Sequence, residues 1–155
     1  MRNNNKNLIL SALFAALIVV GTYIKIPTPL LPLTFQTLFV VLSGLVLGKK
    51  YGAISVCVYV IAGLIGLPVF TGSALNPTFG YIIGFIFGAW TAGFIAEKFK
   101  PCFLTFFLGA LAGMAVIYAF GIPYYYLMSK FYLGNEIGAK TLLMYFVLMP
   151  LPGDI

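Results

Sequence analysis

The residues best suited to chemistry are few, and they cluster at segment ends. Asp154 lies in a Pro-Gly-Asp triplet at 152–154. An ionised carboxylate is an acceptor-only group and suits a ligand that presents two N–H donors; beside a membrane span it commonly marks a ligand or ion path. The competing reading is an N-cap for a following helix. Asn76 precedes Pro77, so its backbone is pushed toward extended conformations, and its amide offers both donors and an acceptor. The same residue pair is also a turn signal. Gln36 has this dual chemistry at the start of an apolar segment, with interfacial, solvent-facing polarity as the alternative, and Thr34 enters just before it. Tyr81 and Phe70 are candidate covers for an apolar ligand, although aromatics at such depths are common as interfacial belts.

What must position them is a set of membrane helices. Of 155 residues, 62% are hydrophobic and 8% charged, with a mean hydropathy of +1.08. That is too little polar surface to coat a water-soluble globule of this size. The charge-poor segments Leu8 to Ile24, Leu33 to Gly48, Tyr51 to Leu67, Phe79 to Ala96 and Cys102 to Gly121 are near the roughly 20 residues a spanning helix needs. A further apolar segment from Thr141 is broken by Pro150 and Pro152, which places the start of a sixth helix near Gly153, with the C-terminal helix incomplete at Ile155; a natural end after five spans is the alternative. The expected fold class is all-α, a polytopic membrane helix bundle forming a single transmembrane domain over 1–155. Leu8 to Ile24 reads as a retained span and lacks the features of a cleaved signal peptide.

Charge gives the expected sidedness. Arg2, Lys6, Lys49, Lys50, Lys98 and Lys100 fall in one set of connecting segments; Lys25, Lys130 and Lys140 fall in the other. Cations concentrate on the cytoplasmic side, so the N-terminus is expected in the cytoplasm and the uncharged 66–78 loop outside. The proline-bearing segment KIPTPLLPL at 25–33, the loop GLPVFTGSALNPTFGY at 66–81 and the Pro-Gly-Asp triplet then meet at the outer face, where a receptor pocket would be capped by loops and lined by helix ends. Gly80, Gly84 and Gly88, Gly44 and Gly48, and Gly109 and Gly113 recur every fourth residue, a spacing that lets membrane helices approach closely. Ala12 and Ala16 form a similar patch facing another helix or a separate subunit.

Several function classes fall away. The chain has no histidine, which removes His-based relays and nucleophile activation and most transition-metal sites. Cys57 and Cys102 have no metal-ligand or redox spacing. No phosphate-binding loop or carboxylate cluster is present, so no catalytic residue, metal or cofactor is assigned, and energy for uphill transport would come from a partner or an ion gradient. The net charge of +6 follows from the positive-inside pattern and gives no argument for nucleic acid. An intramembrane enzyme and a purely structural membrane protein are the alternatives of other classes.

The segments IPTPLLPLTFQTL at 26–38, GLPVF at 66–70, NPTFGYIIGF at 76–85 and PGD at 152–154 resemble, in order and over essentially the whole chain, the BioY family. These are the biotin-specific substrate-binding (S) components of energy-coupling-factor (ECF) vitamin transporters. The resemblance implies a six-helix bundle in the cell membrane that binds biotin from outside and associates with a transmembrane coupling subunit and two ABC-type ATPases. It places Asn76 and Asp154 in the ligand pocket and assigns Ala12 and Ala16 to contact with the coupling subunit. The family's lysine three positions after the aspartate would fall at 157, past Ile155, so the resemblance also implies weak binding unless the last helix is restored. Related components for thiamine, riboflavin and other vitamins, and a small stand-alone transporter, are the alternatives of the same architecture.

Overall fold

The computed structural model describes residues 2–26, 33–69 and 79–131. Four helices account for most of them: α1 (Arg2–Tyr23), α2 (Gln36–Leu64), α3 (Phe79–Lys98) and α4 (Phe103–Phe131). α1, α3 and α4 are each long and apolar enough to cross a membrane, as is α2 if its 29 residues are taken as one stretch. Between α1 and α2, the short strands β1 (Lys25–Ile26) and β2 (Leu33–Thr34) pair antiparallel, Lys25 with Thr34 and Ile26 with Leu33.

Helix α2 is two helices in one. Gly48 has φ 81° and ψ 173°, a left-handed backbone that only glycine adopts cheaply, and the chain reverses there. Ser43 Oγ lies 3.5 Å from the Gly52 carbonyl and Gln36 Nε2 lies 2.9 Å from the Tyr59 hydroxyl, so the arms 36–47 and 49–64 run antiparallel. With 1.5 Å of rise per residue the first arm is about 18 Å long, the shortest rod among the described residues. The second arm closes with a Schellman motif: Gly66 N–H donates to Gly63 O and Leu67 N–H to Ala62 O, both at 3.2 Å, with Gly66 at φ 101°.

The glycine rows are where helices meet. A side chain at Gly44 would run into the Ala89 backbone, and one at Gly93 into the backbone of Gly48 and Lys49. Gly80, Gly84 and Gly88 face Tyr124, Ile117 and Phe120, and Ile117 and Gly113 of α4. Such rows let backbones touch without interposed side chains, which raises dispersion contact where no hydrophobic effect operates between lipid and helix. Helix α4 differs from the expected segment by continuing ten residues past Gly121 through Pro123 to Phe131. Gly121 is buried against the Tyr81 ring, so it serves close packing there instead of ending the helix. The core is formed by Ile18, Val40, Val56, Tyr59, Ala89, Ala92 and Ile117, all at most 1% exposed. Exposed Leu13, Val46, Ile61, Trp90 and Phe107 suit a lipid-facing surface.

Most of the described charged residues gather at one end, while Lys25 in β1 and Lys130 in the last turn of α4 lie at the other. Lys49 and Glu97 form an ion pair at 3.4 Å, Lys49 and Lys98 both lie over the Phe94 ring, and Tyr51 donates to Asn4 Oδ1 at 3.2 Å. The start of α1, the Gly48 reversal and the end of α3 therefore share one face of the bundle, consistent with the charge count in the connecting segments.

Candidate functional site

The opposite end carries the polar chemistry, and Tyr59 is its centre. Its side chain is 1% exposed. Its hydroxyl accepts from Gln36 Nε2 at 2.9 Å, donates to the Val69 carbonyl at 3.3 Å and lies 3.4 Å from Thr22 Oγ1. Thr22 in turn donates to the Ile18 carbonyl at 2.8 Å, a bond that a buried hydroxyl in a helix makes to its own preceding turn. One phenol thus joins α1, both arms of α2 and the turn after the second arm. Buried polar groups are costly unless bonded; here Gln36 donates to Tyr59, Tyr59 to a backbone carbonyl and Thr22 to its own preceding turn.

The turn that follows the second arm is held twice. Tyr23, at the end of α1, donates from its hydroxyl to the Pro68 carbonyl. Tyr59 takes the next carbonyl, that of Val69. The Val69 N–H bonds Leu67 O at 2.7 Å, and the Val69 side chain is buried in the core. This turn leads into the uncharged loop singled out in the sequence.

An aromatic group stands at the same level. Gly44 meets Ala89 and Gly48 meets Gly93, so α3 runs parallel to the first arm with a constant offset of 45 residues, which brings Tyr81 level with Gln36. Tyr81 is 8% exposed and packs edge-on to Tyr118, with ring centroids 6.0 Å apart and an interplanar angle of 82°. That is the favoured T-shaped arrangement of two aromatic quadrupoles. Tyr125 and Phe85 are buried in the same cluster. A bonded amide level with a tyrosine-rich wall suits a small ligand with an apolar body and a polar edge.

The candidate residues divide as follows. Gln36 is buried and bonded, which overturns the solvent-facing alternative, and Tyr81 is packed inside the bundle instead of lying in an interfacial belt. Thr34 pairs with Lys25 in the two-strand ladder, two residues before Gln36. Ala12 and Ala16 are exposed on α1, so they face away from the described helices. Asn76, Asp154 and Phe70 lie outside the described residues. Among the described residues no group of three His, Cys, Asp or Glu could hold a metal ion. Tyr59 and Thr22 escaped the sequence reading because one tyrosine of ten, or one threonine in an apolar run, carries no local signal; their partners are 23 and 37 residues away.

The sequence model of the BioY family matches residues 1–155. A protein of Thermotoga maritima named biotin transporter BioY is 47% identical over 123 residues, covering 76% of this chain and 72% of its own length. A Lysinibacillus sphaericus protein named probable biotin transporter BioY is 42% identical over 136 residues, covering 84% of this chain and 69% of its own length. Among solved structures, the S-component for biotin from an ECF-type ABC transporter is similar with a TM-score of 0.83 and 29% identity, over 99% of this chain and 85% of that one.

Proposed function

This chain belongs to the BioY family, and from that premise we propose that it is the biotin-binding S component of an ECF-type uptake transporter in the cell membrane. The observation that carries the reading is the likeness to the solved biotin S-component over 99% of the chain. The structure supports it with a bundle in which the end carrying Lys49, Glu97 and Lys98 lies opposite an end built of Gln36, Tyr59 and a tyrosine wall. The charge count assigns the charged end, and with it the N-terminus, to the cytoplasm. The ligand then enters at the tyrosine end from outside.

Biotin combines two ureido N–H donors, an apolar bicyclic body and a carboxylate. In this proposal Asp154 accepts from the ureido donors and Asn76 and Gln36 meet polar edges. Tyr81 and Phe70 cover the rings, and Thr34 stands at the entrance before Gln36. The bundle is of the six-helix S-component type. Ala12 and Ala16 are the exposed small patch against which a transmembrane coupling subunit packs, and two ABC-type ATPases supply the energy. The role is binding and delivery, not catalysis.

The test is equilibrium binding of labelled biotin to the purified protein in lipid nanodiscs. Saturable binding, displaced by unlabelled biotin and not by thiamine or riboflavin, is expected; Asp154→Ala and Asn76→Ala are expected to lose it at normal expression. Displacement by another vitamin at lower concentration than biotin would transfer the assignment to that ligand.

A further inference from the structure

We infer that Tyr59 is a positioning residue that couples the Gln36 amide to the turn at 66–69, so that ligand contact at one is transmitted to the other. The inference rests on the biotin-binding reading for its ligand, and on the hydrogen bonds alone for its geometry. Tyr59 is fixed at the level of Gln36 and Val69 by the Gly48 reversal, which sets the two arms of α2 in register. Its single hydroxyl accepts from Gln36 Nε2 at 2.9 Å and donates to the Val69 carbonyl at 3.3 Å. A group that accepts on one side and donates on the other polarises both bonds in the same sense, so each strengthens its neighbour in a low-dielectric interior.

The turn has a second tether of different exposure. Tyr23 bonds the adjacent Pro68 carbonyl from the surface, being 56% exposed, whereas Tyr59 is 1% exposed. Two phenols from two helices therefore clamp consecutive carbonyls. Only the buried one reaches a candidate ligand contact. Thr22 Oγ1, 3.4 Å from the same hydroxyl, stands ready as an alternative acceptor, so releasing Val69 does not strand a buried donor. This arrangement lets the turn detach and redock at modest cost, and the orientation of Gln36 changes with it.

The experiment compares the protein with Tyr59→Phe and Tyr23→Phe in nanodiscs by amide hydrogen exchange of Leu67 and Val69 without ligand, and by biotin affinity in a double-mutant cycle with Gln36→Ala. Tyr59→Phe removes one oxygen and keeps the ring. It is expected to speed exchange at 67–69 and to weaken biotin about tenfold, the scale of removing one buried hydrogen-bond partner. The cycle is expected to be non-additive, with Tyr59→Phe having little further effect once Gln36 is Ala. Tyr23→Phe is expected to speed exchange with no coupling to Gln36. Unchanged exchange in Tyr59→Phe, or additive effects on affinity, overturns the inference. If the unaltered protein binds no biotin, the functional reading fails while the exchange data still decide whether Tyr59 holds the turn.

Discussion

Glu97 grips Lys49 at two points: one carboxylate oxygen accepts the Lys49 backbone N–H at 3.1 Å, and the other lies 3.4 Å from the same residue's ammonium. Lys49 opens the second arm of α2, so the carboxylate from α3 does the work of an N-cap supplied by another helix. It sits where the helix dipole favours negative charge. The Gly48 reversal is thus stapled to α3 at the charged end.

Glu97→Gln keeps an acceptor for the Lys49 N–H and loses only a half-exposed ion pair, so a stability loss below about 1 kcal/mol is expected. Glu97→Ala also uncaps the arm and is expected to cost about 1 kcal/mol. Gly48→Ala combines about 1–3 kcal/mol of strain in a positive-φ region almost confined to glycine with a collision against the Glu97 side chain, and is the most damaging of the three. Thermal unfolding of the three variants in detergent gives the order; Glu97→Gln as damaging as Gly48→Ala would contradict the capping role.

Gly44 and Gly66 are expected to respond differently to alanine. At Gly44 the new methyl meets backbone of Ala89, which cannot rotate away, so α2 and α3 must separate and at least the about 1–3 kcal/mol of overpacking is lost. At Gly66 nothing lies within 4 Å of the new atom, and only the positive φ costs, about 1–2 kcal/mol. Folded yield after mild heating separates them, with Gly44→Ala the lower.

Gly121→Ala drives a methyl into the Tyr81 ring. Loss of stability and weaker biotin binding are expected together. Adding Tyr81→Leu is expected to recover stability without recovering affinity, because it reopens the space and removes the aromatic cover. Recovery of both would remove Tyr81 from the site.

Cys102 offers a test of sidedness. It is exposed just before α4, while Cys57 is partly buried within the second arm. The Thr105 side chain 3.3 Å away, and then the Thr105 and Leu104 backbone, hold the Cys102 thiol below its ordinary pKa. The thiolate is the reactive form, so labelling by a charged maleimide is expected to rise at lower pH than for a free cysteine. Thr105→Val shifts the profile upward. With the N-terminus cytoplasmic, labelling occurs in inside-out vesicles and not in right-side-out ones; the reverse pattern inverts the topology.

Ala12→Leu and Ala16→Leu enlarge a face of α1 that is exposed among the described residues. Biotin binding by the isolated protein is expected to stay unchanged. ATP-driven uptake with the coupling subunit and ATPases is expected to fall at least about tenfold, because bulky side chains hold apart two helices that small residues let approach closely. Equal loss of both activities would return these residues to a role in folding.

Membrane residence, most span positions, the charged end and the glycine rows were legible in the sequence, because each depends on local composition or on a spacing of four along one helix. Gln36 and Tyr81 were legible as candidates for the same reason: they stand at span ends. Their environment was not. Whether Gln36 faces water or Tyr59, whether Gly121 ends a helix or receives a tyrosine ring, and that α4 runs through Pro123 all follow from how rods pack side by side. That packing is set by backbone contacts such as Gly44 with Ala89 and by the reversal at Gly48. A hydrogen bond between residues 23 or 37 positions apart leaves no periodic mark in the chain, so Tyr59 emerged only when the tertiary structure set the register of the two arms.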